Sequence, residues 1–253
     1  MMHWLALSLI LGSFTAAPDN QRLVSINPCF DSWLPQWVDD SWQVIPSTAH
    51  GNRLEQIIAL APERVVAGSF VGRQLRLAVQ EHTQLTTMPY VANWQDWRAA
   101  VLELGTQLGQ RHHAKAWLTQ QERVLHDLQL SELGETLVLM PNGFTWGQQS
   151  WIYQLLERQG VDLSPLSGTK DLVRLSLEEV LQSNPDTVIL EGFSDRYARA
   201  HDWLWHDGLQ DWLAHRRVLE VNGNVSSCAD IRAVEYLQIL HKGLVEGAAY
   251  APL

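Results

Sequence analysis

Two segments of the chain repeat one pattern, separated by about half of its length. In residues 54–66 and again in residues 177–189, a short helix-forming run with glutamate at its second position leads through a proline and an acidic residue into an apolar run. The proline and the acidic residue end a helix, and the β-branched run after them favours a strand. A repeat at this distance predicts two similar lobes with a cleft between them.

Length and composition are compatible with two lobes. The chain has 253 residues and 46% hydrophobic content, which is enough for each lobe to bury a core of its own. The formal net charge of −10 argues against nucleic acid or an anionic membrane surface as a partner, because both would be repelled.

The first 17 residues form an apolar run that ends in small residues. This run is too short to span a bilayer comfortably and is typical of a signal peptide, which predicts export to the periplasm. A buried amino-terminal helix is the alternative, since no Lys or Arg precedes the run and Pro18 follows Ala17.

Apolar runs that favour strands alternate with helical stretches on both sides of one long helical pattern. The fold class predicted from this order is α/β, with two Rossmann-like lobes of mainly parallel strands joined by one long inter-lobe α-helix. Asn93, three residues before Asp96, is the predicted helix cap. The predicted segments are the signal peptide (1–17), the amino-terminal lobe (18–92), the inter-lobe helix (93–130) and the carboxy-terminal lobe (131–253).

The order and spacing of four segments resemble the class III substrate-binding proteins of ABC importers, which capture ferric siderophores, haem and vitamin B12. Residues 22–28 are similar to the family's first strand, and residues 93–128 are similar to its inter-lobe helix. Residues 52–66 and 175–189 are similar to its helix–Pro–acid–strand elements. The resemblance covers nearly the whole chain after residue 17.

Three shorter motifs resemble a subgroup associated with the uptake of iron complexes. They are Asn27-Pro28-Cys29, the Pro-Asn-Gly-Phe-Thr run at 141–145, and Cys228 before the last helix. The resemblance implies a periplasmic, monomeric protein without a cofactor, whose partners are a ferric siderophore or related metal chelate and an ABC permease dimer in the inner membrane. Vitamin B12 and haem are the alternative ligands, and a sensor or surface iron receptor would have a similar sequence.

The resemblance also implies a role for Glu55 and Glu178, the glutamates of the repeat. In the family, an acidic residue at this position of each lobe meets an arginine of the permease, and such charge pairs orient a partner. The alternative is that each glutamate complements the dipole of its own helix.

Cys29 and Cys228 are the two cysteines of the chain. An even count in an exported protein suggests a disulfide, which would restrain the opening of the cleft. Two separate thiols are the alternative, because a bond requires Cα atoms within about 7 Å.

Candidate ligand contacts lie in loops that follow predicted strands, where open parallel sheets bind ligands. Aromatic faces suit a wide planar ligand, and arginines suit a negatively charged chelate, although core packing and solvated loop positions would account for the same residue types. The candidates are Phe30, Trp33, Ser69, Phe70, Arg73, Trp94, Asn142, Phe144, Trp146, Phe193, Arg196 and Tyr197.

The sequence contains no motif for catalysis or for direct metal capture. It lacks the nucleophile elbow, the dinucleotide-binding glycines and the P-loop that serve the commonest enzymes on such sheets. His112 and His113 are adjacent on a predicted helix and cannot share one metal. We therefore expect neither a catalytic residue nor a metal site, and a binding protein rather than an enzyme.

Overall fold

The computed structural model describes residues 21–193 and 199–247, which form two sheet-containing lobes joined by a pair of helices. The amino-terminal lobe contains a four-stranded sheet whose strand pairs are all parallel, in the spatial order β2-β1-β3-β4. Its elements are β1 (Gln21–Ser25), α1 (Pro28–Asp31), β2 (Trp42–Ile45), α2 (Ser47–His50), α3 (Leu54–Ala59), β3 (Arg64–Ala67), α4 (Arg73–Gln80) and β4 (Gln84–Thr87).

The central strands of this sheet have apolar residues that are buried on both faces. Leu23 and Val24 of β1 are fully buried, as are Val65 and Val66 of β3. Strands buried on both faces have continuous hydrophobic runs, which is why the sequence pattern identified them.

The prediction of one long inter-lobe helix is wrong, because the segment forms two helices, α5 (Trp94–Gln107) and α6 (Arg111–Asp127). The chain reverses at Gly109, whose φ of +71° is a left-handed conformation that favours glycine. The indole rings of Trp97 and Trp117 then lie 5.9 Å apart between the two helices. The apolar periodicity continues across the break because both helices bury one face, so periodicity alone did not reveal the turn.

The carboxy-terminal lobe contains a second parallel four-stranded sheet, in the order β10-β9-β5-β7. An antiparallel pair, β6 and β8, lies beside it. The elements are β5 (Glu135–Leu139), β6 (Phe144–Trp146), α7 (Trp151–Arg158), β7 (Asp162–Leu163), β8 (Leu172–Arg174), α8 (Leu177–Gln182), β9 (Thr187–Glu191), α9 (Asp207–Ala214), β10 (Arg217–Val221), α10 (Gly223–Ser226) and α11 (Ala233–Glu246).

Several predicted details are confirmed. The repeat forms the units α3–β3 and α8–β9, and Asn93 caps α5 by accepting a hydrogen bond from the amide of Asp96. A 3-10 helix, Arg199–Trp205, precedes α9.

The two lobes are held together by a cluster of tryptophans and by hydrogen bonds at their junction. Trp97 of α5 and Trp151 of α7 have stacked rings 5.6 Å apart. Both indoles donate to backbone carbonyls that follow α10: Trp97 to Asp230 at 2.6 Å and Trp151 to Ala229 at 2.9 Å. Large buried aromatic rings with satisfied N–H groups fix the relative position of the lobes.

Candidate functional site: the inter-lobe cleft

A cleft of about 980 Å³ lies between the lobes, at the edge where parallel strands of both sheets end. The amino-terminal lobe contributes the loops that follow β1, β3 and β4. The carboxy-terminal lobe contributes β6, the start of α7, and α10 with the turn after it. The cleft therefore occupies the carboxyl edge at which open α/β sheets bind ligands.

Aromatic side chains from both lobes line the cleft. Phe70 is 85% exposed and Tyr90 is 46% exposed, and their rings meet edge to face with centroids 5.7 Å apart. Trp146 and Trp151 line the cleft from the other lobe. Aromatic surface left in contact with water at the mouth of a cleft is typical of a binding site.

The loop after β3 presents Phe70 because it packs closely on the loop after β1. A Cβ atom added to Gly68 would lie 2.3 Å from Nδ2 of Asn27, so glycine is required there. The side chain of Asn27 is held in turn, since its Oδ1 accepts a hydrogen bond from the amide of Cys29 at 3.0 Å.

A disulfide between Cys29 and Cys228 connects the two lobes at the cleft. Their Cα atoms are 5.3 Å apart, and both residues line the cleft. Of the two alternatives, a disulfide or two separate thiols, the structure contains the disulfide. Cys29 lies in α1 and Cys228 in the turn after α10, and these two segments face each other across the junction of the lobes.

Glu191, a residue that the sequence analysis missed, lies fully buried behind the cleft wall. Its Oε2 accepts a hydrogen bond from the indole N–H of Trp146 at 2.8 Å, and its Oε1 accepts one from the hydroxyl of Tyr236. Burial raises the pKa of Glu191 to about 7, although both hydrogen bonds favour the charged form. The carboxyl thereby fixes the ring of Trp146. The signal in the sequence was a glutamate ending the apolar strand β9.

Two carboxyl groups and one guanidinium line the described part of the cleft: Asp31, Asp230 and Arg232. Asp31 accepts hydrogen bonds from the amide and the hydroxyl of Ser47, at 2.8 and 2.6 Å. Asp230 accepts one from the amide of Ile231 at 2.9 Å, and burial raises its pKa to about 6. The sequence analysis missed these three residues, which have no motif in common.

Of the predicted ligand contacts, Ser69, Phe70 and Trp146 line the cleft. Arg73 is exposed and begins α4, directly after Gly72 at the rim.

Phe30 and Trp33 do not line the cleft. Phe30 is fully buried and Trp33 is 6% exposed. The ring of Trp33 packs 4.1 Å from that of Trp37 in the core. These aromatic residues follow β1, but they point inward because α1 and the 3-10 helix after it pack against α6.

Trp94 lies behind the cleft wall, stacked on Trp151 at 6.1 Å and covered by the guanidinium of Arg158 at 4.2 Å. The remaining predicted contacts lie elsewhere in the carboxy-terminal lobe. Asn142 is exposed in the turn after β5, Phe144 is half-buried in β6, and Phe193 packs partly buried against the core of that lobe. Arg196 and Tyr197 lie outside the described residues.

Glu55 and Glu178 occupy the same position in the two lobes. Each is exposed and is the second residue of its helix, α3 or α8. Since each helix precedes a strand of the parallel sheet, its amino end lies toward the carboxyl edge, on the side of the cleft.

Residues 21–193 and 199–247 contain no group of three or more His, Cys, Asp or Glu side chains placed to hold a metal ion. In the same ranges, none of the helices has the length and apolar character needed to cross a membrane.

No protein-family sequence model and no curated protein sequence matches the chain. Solved structures do match. The periplasmic heme-binding protein BhuT in complex with two hemes has a TM-score of 0.69 and 16% identity, with 89% of this chain and 98% of that chain covered. The periplasmic heme-binding protein HutB of Vibrio cholerae has a TM-score of 0.65 and 16% identity, with 89% of this chain and 99% of that chain covered. FeuA from Bacillus subtilis is a triscatecholate siderophore-binding protein, here complexed with ferri-bacillibactin. Its structure has a TM-score of 0.64 and 14% identity, with 91% of this chain and 94% of that chain covered.

The chain thus has the two-lobe α/β fold of these binding proteins, and the resemblance seen in the sequence is confirmed at the level of the fold. The matched structures are transport binding proteins and not enzymes.

Proposed function

We propose that this protein is the substrate-binding component of an ABC importer, and that it captures a ferric siderophore or related metal chelate in the inter-lobe cleft. The observation that carries the proposal is the cleft itself, about 980 Å³ in volume and lined by aromatic rings from both lobes. This volume is at the upper end of small-molecule sites, which suits a bulky chelate. The similar structures, which bind haem or a ferric siderophore, support the same class of ligand.

Capture in this proposal involves no covalent chemistry. Phe70 and Tyr90 meet the ligand from one lobe, and Trp146 and Trp151 meet it from the other. The disulfide and the tryptophan cluster hold the lobes together, so the cleft is largely pre-formed. A pre-formed site avoids much of the ordering cost of binding. The protein acts as a monomer without a cofactor.

We place the protein in the periplasm, exported through residues 1–17. There, the loaded protein would offer Glu55 and Glu178 to arginines of a permease dimer. One exposed carboxylate on each lobe, both toward the cleft edge, gives two contacts that orient the partner. Haem is the second candidate ligand, because two of the similar structures are haem-binding proteins.

The test is uptake of a radiolabelled ferric chelate by cells that carry the Glu55→Lys/Glu178→Lys protein, with ligand affinity measured in parallel on the purified protein. We expect uptake to be lost while affinity stays within about twofold, because exposed charges distant from a ligand contribute little to its binding. Glu132→Lys is the matched control, an exposed glutamate in the 3-10 helix that precedes β5. Normal uptake by the double variant would refute the docking role, and a loss of affinity would make both glutamates part of the site or the fold.

A further inference from the structure

The charges of the cleft restrict the kind of iron complex that fits, if the proposed function is correct. Among the residues that line the cleft, Asp31 and Asp230 carry negative charge and Arg232 carries positive charge. The exposed Arg73 follows Gly72 of the rim and is not one of the lining residues. The interactions of the three charged lining side chains decide what remains available for a ligand.

Arg232 is already neutralised within its own segment. Its Nε donates to Glu235 at 2.6 Å and a second nitrogen donates to the same carboxylate at 2.5 Å. A further nitrogen donates to the carbonyl of Asn224 at 2.9 Å. A guanidinium paired in this bidentate manner has little positive charge to offer a ligand.

The two carboxyl groups have no cationic partner among the described residues. The hydrogen bonds of Asp31 come from the neutral groups of Ser47. Those of Asp230 come from backbone amides, and its carboxyl lies in a partly buried position on the cleft wall. A carboxylate that is partly desolvated and lacks a counter-ion is stabilised by a cation or hydrogen-bond donor.

Helix amino ends at the cleft are the opposing contribution, because they carry partial positive charge. Three of them are capped by the side chain of the N-cap residue: Asn27 for α1, Ser150 for α7 and Asn222 for α10. The first amide of α2 donates to Asp31, and α3 and α11, whose N-cap residues form no side-chain hydrogen bond, have Glu55 and Glu235 in their first turns. Among the described helices that begin at the cleft, α4 has neither a side-chain cap nor an acidic residue in its first turn. One partial charge does not balance two carboxylates.

We infer that the iron complex captured in this cleft is uncharged or cationic, such as a ferric trihydroxamate, and that Asp230 pairs with a donor or cationic group on it. A trianionic tris-catecholate complex would instead be repelled by Asp31 and Asp230. The formal net charge of −10 of the whole chain acts in the same direction on the approaching ligand.

The experiment uses a matched pair of chelates with the disulfide-intact protein. Ferrioxamine B carries a pendant ammonium group, and its N-acetylated form has the same iron centre without that charge. Affinities for both, for a trianionic ferric tris-catecholate and for haemin are measured by calorimetry at low and moderate salt. The protein variants are Asp230→Asn, which can still accept from the amide of Ile231, and Asp211→Asn as an exposed control on α9.

We expect both hydroxamates to bind more tightly than the tris-catecholate, with the cationic form favoured. Asp230→Asn should weaken the cationic form about tenfold and leave the acetylated form nearly unchanged, as expected for one charge pair in a partly solvated cleft. Asp211→Asn should change neither.

Tightest binding of the tris-catecholate or of haemin would overturn the inference about charge while supporting capture of an iron complex. An equal effect of Asp230→Asn on both hydroxamates would refute the pairing at Asp230. Failure of all four ligands to bind would refute the proposed function and, with it, this inference.

Discussion

Replacing Glu191 by glutamine should change how the stability of the protein depends on pH. Glu191 is fully buried, and burial raises its pKa from the ordinary value of 4.5 to about 7. The folded protein therefore binds more protons than the unfolded chain between these two values. The free energy of unfolding must fall as the pH rises through this window, because the charged carboxylate is less well accommodated when folded.

The size of the effect follows from the two pKa values. A tenfold change in an acid constant corresponds to about 1.4 kcal/mol, so the full penalty is on the order of 3 kcal/mol. Between pH 5 and pH 8 the contribution of Glu191 changes by about 2.5 kcal/mol, since the unfolded chain is already mostly ionised at pH 5. Glutamine removes this change. It can still accept from Trp146 and, if the hydroxyl of Tyr236 rotates, donate to Tyr236.

The assay is urea denaturation of the wild-type and Glu191→Gln proteins at pH 5 and pH 8. The stability of the variant relative to the wild type should increase by about 2.5 kcal/mol from the lower to the higher pH. Other titrating groups, such as Asp230, change the free energy of unfolding of both proteins equally, so their effects cancel in the difference between variant and wild type. Glu220→Gln, an exposed position on β10, should show no such change. A relative stability that is the same at both pH values would refute the reasoning.

Three further outcomes follow from the structure. Replacing Cys29 and Cys228 together by serine should lower the free energy of unfolding by about 2–5 kcal/mol in denaturant titrations, because the bridge closes a loop with a sequence separation of 199; an unchanged midpoint would contradict this. Gly105→Ala should lower the melting temperature although alanine is the better helix former, since its Cβ would lie 2.3 Å from a side chain of α6; a higher melting temperature would show that the helix pair can separate. Phe70→Ala should weaken ligand binding at least about tenfold, whereas alanine at the exposed Leu77 of α4 should not; equal affinities would remove Phe70 from the site.

The fold could be predicted to a large extent because its signals are local. Strands β1, β3, β5 and β9 are buried on both faces, and each appears in the sequence as an apolar run. The helix–Pro–acid–strand repeat likewise forms the two predicted units. The reversal at Gly109 escaped prediction because the apolar faces of α5 and α6 have the same periodicity. Tertiary contacts, such as that between Trp97 and Trp117, distinguish two packed helices from one.

The candidate site was predictable only in part. The rule that ligands bind at the carboxyl ends of parallel strands identified Ser69, Phe70 and Trp146. It also selected Phe30, which follows a strand but points into the core. Whether a loop residue faces the cleft depends on neighbouring loops, which a sequence pattern does not encode. Asp230 has no motif, because its position depends on the turn after α10.

The central claim is that the cleft binds an iron complex, and the most direct test is a fluorescence titration of the purified mature protein. Trp146 and Trp151 line the cleft, so a bound ferric chelate should quench their emission. The panel comprises ferric hydroxamate, catecholate and citrate complexes, haemin and cyanocobalamin. The fluorescence is corrected for the inner-filter effect of these coloured ligands. The account predicts saturable quenching by a ferric hydroxamate, and in the Phe70→Ala protein the midpoint of the titration should lie at an at least about tenfold higher ligand concentration. Saturation by cyanocobalamin alone, or no saturation by any iron complex, would contradict it.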